Sequence, residues 1–178
     1  MDSEQKDKLK LSLVILLSLA AAGGILTLAI AFPGALQAFA PLLKRYKPNT
    51  LKPNYLKRNL RLLEEQGLVT ISEHDDKIKI QITQKGKTKV LEYEAEKLII
   101  KKQEPWDKKW RVVIFDIPEK KKSAREIFRK KLTDLGFKKI QHSVWRQKYP
   151  CFSEIEFLAN LYQIRPYVNL IEGEVTRF

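Results

Sequence analysis

Hydrophobic positions are spread unevenly along this chain. Residues 11–43 carry no charged side chain, and Leu11 to Phe32 is almost wholly Leu, Ile, Val, Ala and Gly. At about 1.5 Å of rise per residue, a helix of about 22 residues crosses a hydrocarbon layer of roughly 30 Å. Residues 1–33 are therefore predicted to form an apolar helical segment, with 11–32 as a membrane anchor. Two other readings stay open. One is a hydrophobic helical hairpin, broken at Gly23-Gly24 or Phe32-Pro33 and buried against the next domain or a dimer interface. The other is a cleavable signal peptide, although the run exceeds a usual apolar core. Lys6, Lys8 and Lys10 precede the run and Lys44, Arg45 and Lys47 follow it, so flanking charge does not fix an orientation.

The periodicity changes after Pro33. Gly34 to Tyr46 reads as a helix, and Pro48-Asn49-Thr50 as a turn. From Leu51 or Pro53 to Gln66, Leu56, Leu60 and Leu63 recur at helical spacing, with proline in the first turn and Gly67 as a stop. Residues 68–72 and 78–82 alternate with the period of a strand, joined by the polar turn Glu73 to Lys77. Thr83 can cap a closing helix to Leu98. A helix running directly into a polar-tipped hairpin predicts a winged helix-turn-helix domain over 34–100.

Residues 101–109 lack apolar periodicity and are predicted to be a linker. Trp110 to Asp116 is a β-branched strand, and a helix follows Pro118 and runs to Leu135 with Ala124, Ile127, Phe128 and Leu132 on its buried stripe. Phe137 to Lys148 reads as a hairpin, Ser153 to Tyr162 as a helix and Pro166 to Val175 as a last strand. This β-α-β-β-α-β order predicts a ferredoxin-like dimerisation domain over 110–178, and an α+β chain overall.

Charge narrows the partners. The formal net charge is +13 with a pI near 9.7, which points to a polyanion. By segment it is about zero over 1–43, about +7 over 44–103, about +8 over 104–150 and about −2 over 151–178. The single cysteine, Cys151, excludes an intramolecular disulfide and suits a cytoplasmic protein, either free or tethered to the inner face of the membrane. With only His74 and His142 beside it, no zinc site of ordinary ligand count can form.

On the helix before the hairpin, Asn54, Lys57, Arg58 and Arg61 share one stripe, the arrangement that reads base edges and phosphates in a major groove of double-stranded DNA. Lys77 at the wing and Lys85 after it add backbone contacts. Lys121, Arg125 and Arg129 form a second cationic face suited to a phosphate backbone. Asp116, at the end of a strand and before a helix, either caps the helix start or holds a metal. His142 has no carboxylate at a telling spacing and is not assigned chemistry.

Two stretches resemble known families. The run "LLEEQGLVTI…IQITQKGK" resembles the recognition helix and wing of prokaryotic winged-helix regulators. The run "WRVVIFDIPEKKKSAREIFRKKLTDLGFKKIQHSVW" resembles the domain shared by PaaX-type transcriptional repressors and the small CRISPR-associated adaptation nuclease. The lead-in Trp106-Asp107-Lys108-Lys109-Trp110 and the preceding winged helix favour the PaaX type, without its third domain. This resemblance implies a dimeric repressor. The alternative it implies is a metal-dependent nuclease, or a structural DNA-binding component of CRISPR spacer acquisition that partners an integrase. In that case Asp116 and its symmetry mate would hold Mg²⁺ at the dimer axis and act on a phosphodiester.

Overall fold

The computed structural model describes residues 3–29, 53–74 and 77–174. The chain divides into two compact units, residues 1–93 and 94–178. The predicted helix over 34–46 and the tip of the predicted wing, Asp75-Asp76, lie outside the described residues.

The first unit opens with α1, Ser3–Ala21. Leu11, Ile15, Leu16 and Leu19 project from one side of it and are buried in the core of this unit. Gly23 and Gly24 then take positive φ, 81° and 88°, and the Gly24 N–H reaches back to the Leu19 carbonyl at 2.7 Å. This left-handed closure ends the helix as glycine allows and most residues do not. The chain turns directly into β1, Ile25–Ala29, which pairs antiparallel with a later strand. The apolar run is thus a helix and then a strand, not one helical span and not a helical hairpin. Among the described residues no helix is long and apolar enough to cross a membrane. The run is apolar because both elements serve one core.

The next described helix, α2, spans Pro53–Glu65 and buries Leu56, Asn59 and Leu63. Asn59 is 0% exposed, and its Oδ1 accepts a hydrogen bond of 3.0 Å from Ser12 Oγ of α1. This bond ties α2 to α1 across their packed faces. Gly67, at φ 67°, stops α2, and the Leu68 N–H returns to the Leu63 carbonyl. Two strands follow, β2 (Val69–His74) and β3 (Lys77–Ile82). They pair antiparallel from Val69↔Ile82 to His74↔Lys77. The three-stranded sheet has the order β1-β3-β2. Ile80 and Ile82 of β3 face the core, while Lys77, Lys79 and Gln81 face solvent.

Helix α3, Gln84–Glu96, begins against the junction of α2 and β2. Thr83 Oγ1 accepts from the Gly86 N–H at 3.0 Å and donates to the Gly67 carbonyl at 2.7 Å. The Thr83 N–H donates to the Leu68 carbonyl at 3.0 Å, and Lys85 Nζ to the Gln66 carbonyl at 2.8 Å. A Cβ on Gly86 would fall 2.1 Å from the Leu68 carbonyl oxygen, so the spacing Thr-x-x-Gly is a steric requirement. The division between the units falls inside α3. Val90 belongs to the first core, and Ala95 to the second.

The second unit has the predicted order: β4 (Trp110–Phe115), α4 (Lys122–Asp134), β5 (Lys138–Gln141), β6 (Val144–Gln147), α5 (Phe152–Leu161) and β7 (Val168–Gly173). Its four antiparallel strands lie in the order β5-β6-β4-β7, a ferredoxin-like sheet. Val113, Phe115, Phe128, Leu132, Trp145 and Leu158 are among the buried residues that fill its core. Alternate residues of β4, namely Trp110, Val112 and Ile114, lie on the opposite face.

Residues 101–109 are pinned to this sheet. Arg111, with a side chain 5% exposed, donates to both carboxylate oxygens of Asp107 at 2.9 and 2.5 Å and to Glu172 at 3.0 Å. It also donates to the Lys109 and Lys148 carbonyls. Hydrogen bonding from Arg111 holds the Asp107 carboxyl below its ordinary range. Lys109 first, and Arg111 after it, do the same for Glu172.

Two outcomes follow from these contacts. Gly86→Ala should lower the stability of the first unit by roughly 1–3 kcal/mol or prevent its folding, read as a shifted denaturant midpoint. Carboxylates whose folded values are depressed contribute stability above their unfolded values and lose it as pH falls through the folded ones. The second unit should therefore lose stability on acidification below about pH 4. Arg111→Met should flatten that dependence in a series of denaturation curves against pH.

Candidate nucleic-acid interface

Helix α2 presents two unlike faces. Leu56, Asn59 and Leu63 turn inward, which leaves Lys57, Arg58 and Arg61 exposed on the outer surface. Asn54 lies in the first turns of the same helix, but its side chain lies outside the described ones. Lys77 stands on the solvent face of the three-stranded sheet, in one row with Lys79. Lys85 is placed differently. Its amine sits on the carbonyl of Gln66, where it complements the negative end of α2.

The cations predicted along α4 are mostly occupied within their own unit. Lys121 donates to the Gln163 carbonyl at 2.9 Å. Arg125 donates to the Ile117 carbonyl at 3.0 Å and to Glu119 at 2.7 Å, and Glu119 holds its guanidinium above the ordinary value. Arg129 pairs with Glu126 at 2.9 Å and lies 5.8 Å over the Phe115 ring. Helical spacing sets Glu126 one turn from Arg129, and the turn before α4 brings Glu119 to Arg125. Lys120 and Lys130 remain exposed there.

Asp116 is exposed just beyond β4, and its backbone N–H donates to the Tyr167 carbonyl at 3.0 Å. Pro118 and Lys121 occupy the cap positions of the following 3-10 turn and of α4, and neither helix start is closed by a side chain. Asp116 is therefore not their cap. Among the described residues no three His, Cys, Asp or Glu side chains gather closely enough to hold a metal. His142 is exposed in the turn between β5 and β6. Cys151 is buried, and burial pushes its thiol up to about 12, which leaves it unreactive.

One cluster was not singled out from the sequence for binding. Trp106 and Trp110 meet edge to face at 5.2 Å. The Arg146 guanidinium lies 4.4 Å over the Trp110 ring, and Lys148 Nζ lies 5.1 Å over Trp106. The Trp106 indole donates to the Lys109 and Lys148 carbonyls at 3.0 and 3.1 Å. Its signal was the Trp-Asp-x-x-Trp spacing together with cations at alternate positions, Arg146 in β6 and Lys148 just after it. Only sheet pairing brings the two together.

No curated protein matches this chain. The ferredoxin-like order, the Arg111 latch on Asp107 and the tryptophan pair all fall within residues 103–178, and these residues match the family model of the PaaX protein central Cas2-like domain.

Proposed function

We propose that this chain is a DNA-binding transcriptional regulator of PaaX type that acts as a dimer on double-stranded DNA. The observation that carries the reading is α2, whose outer stripe of Lys57, Arg58 and Arg61 is exposed while its inner face is fixed by the Ser12–Asn59 bond. A recognition helix needs this combination, since base-edge contacts tolerate little rotation of the helix about its axis. The described order of helix, strand, helix and hairpin, with β1 beside β3, supports a winged-helix reading. Lys77 and Lys79 give its sheet a basic solvent face.

The match to the PaaX central domain supports the regulator over its rival. A nuclease or a component of CRISPR spacer acquisition would rest on Asp116 and on the basic helix at 120–131, whose Lys121, Arg125 and Arg129 are held within their own unit. Dimerisation draws support from the sheet face opposite the helices, where Ile114 is 37% and Ile171 52% exposed on adjacent strands beside Val112. Apolar side chains in such a row are stabilised when a second copy covers them.

In gel-shift titrations on a duplex carrying the chain's operator, Arg58→Ala with Arg61→Ala should weaken binding several-fold and reduce the slope against log salt by about 2. Asp116→Ala should leave it unchanged. A double variant that binds as well as the parent would exclude α2 as the reading helix. Sedimentation should show Ile114→Lys as a monomer at concentrations where the parent is a dimer.

A further inference from the structure

We infer that the start of α5 is a second contact between copies of this chain, distinct from the sheet face, and that it joins dimers to one another. Phe152, the first residue of α5, is 61% exposed and borders two grooves at once. One groove, of about 480 Å³, is lined by Ile155, Ala159, Val168 and Leu170, with Glu156 and Arg165 among its polar residues. The other, of about 1020 Å³, is lined by Lys101 and Lys102 and by the residues that lead into α5, Pro150 to Glu154. Apolar side chains exposed singly are ordinary, but this ring adjoins the apolar lining of the first groove, and together they form one patch.

The charges around the ring select what covers it. Lys101 and Lys102 line only the wider groove, and Glu156 only the narrower one. Among the described residues neither these three nor Glu154 takes part in an ion pair. A nucleic acid would be repelled by the glutamates, and a partner surface of one sign would match only one side of the ring. A second copy matches both sides, because in a two-fold contact each patch meets its own image. With each Phe152 in the wider groove of the other copy, the two rings lie side by side. The lysine pair of each copy then reaches past the ring to Glu156 of the other, its stems covering the ring and its amines meeting the carboxylate. Helix α5 packs with Val113 and Phe115, on the face of the sheet opposite Ile114, so both contacts can form on one subunit. The contact does not depend on the duplex reading of α2.

Sedimentation velocity of the full chain over a concentration series at low ionic strength tests the contact. The parent should pass from dimer to larger species as concentration rises, and added salt should move that step to higher concentration. Phe152→Asp removes a ring that lies outside the core, and should raise the midpoint of the step by about ten-fold or abolish it. Lys101→Glu with Lys102→Glu should do the same. Adding Glu156→Lys to that chain should recover part of the step, which a general loss of stability would not allow. Ile114→Lys should be monomeric at low concentration and dimerise through α5 at high concentration. If Phe152→Asp and the lysine variant assemble as the parent does, the contact is overturned and the patch belongs to a different occupant. A lysine variant that Glu156→Lys fails to rescue would overturn it as well. Should Ile114→Lys assemble like the parent while Phe152→Asp does not, the sheet-face dimer falls and this contact stands.

Discussion

The first unit depends on one close approach of backbone to backbone. Where α3 begins, Gly86 passes so near the Leu68 carbonyl that no side chain fits between them. Thr83 uses that proximity to bond both the Gly67 carbonyl and the Gly86 N–H. The end of α2, the start of β2 and the start of α3 are thereby joined at one point. The orientation of α2 follows from this junction at its C-terminal end and from the part-buried Ser12–Asn59 bond in its middle. A helix fixed at both places can present Lys57, Arg58 and Arg61 as a rigid pattern rather than as three mobile charges.

A similar economy governs the arginines of the second unit. Arg111 is buried because Asp107, Glu172 and two carbonyls surround it, and it anchors the segment entering β4. Arg125 and Arg129 are tied along the surface by Glu119 and Glu126. Arg146 is treated otherwise, with an indole beneath it and a lysine across the strand. The same residue type serves as latch, as surface tie or as a cation over an indole, and neighbouring carboxylates make the difference.

Local patterns made much of this legible. The alternation in residues 68–72 and 78–82, the stop at Gly67, the cap at Thr83 and the β-α-β-β-α-β succession after Trp110 each correspond to an element in place. These are short-range features, set by side-chain periodicity and by glycine, proline and hydroxyl chemistry within a few residues. The outward stripe of α2 was equally readable, because burial of Leu56 and Leu63 forces the intervening cations outward. The apolar start was misread for a physical reason: uniform hydrophobicity has no period, so it cannot tell a membrane span from a helix and a strand that share one core.

By itself, then, the amino-acid order determined the described elements from Pro53 onward, the excess of positive charge and the residues able to meet a polyanion. Tertiary structure alone decided which of those cations are available. Arg125, Arg129, Lys121 and Lys85 look no different in sequence from Arg58 or Arg146, yet each is held by a carboxylate or carbonyl that folding brings to it. The reason is that ionic pairing acts over a few ångströms in space, and only the packed chain sets which charges come that close.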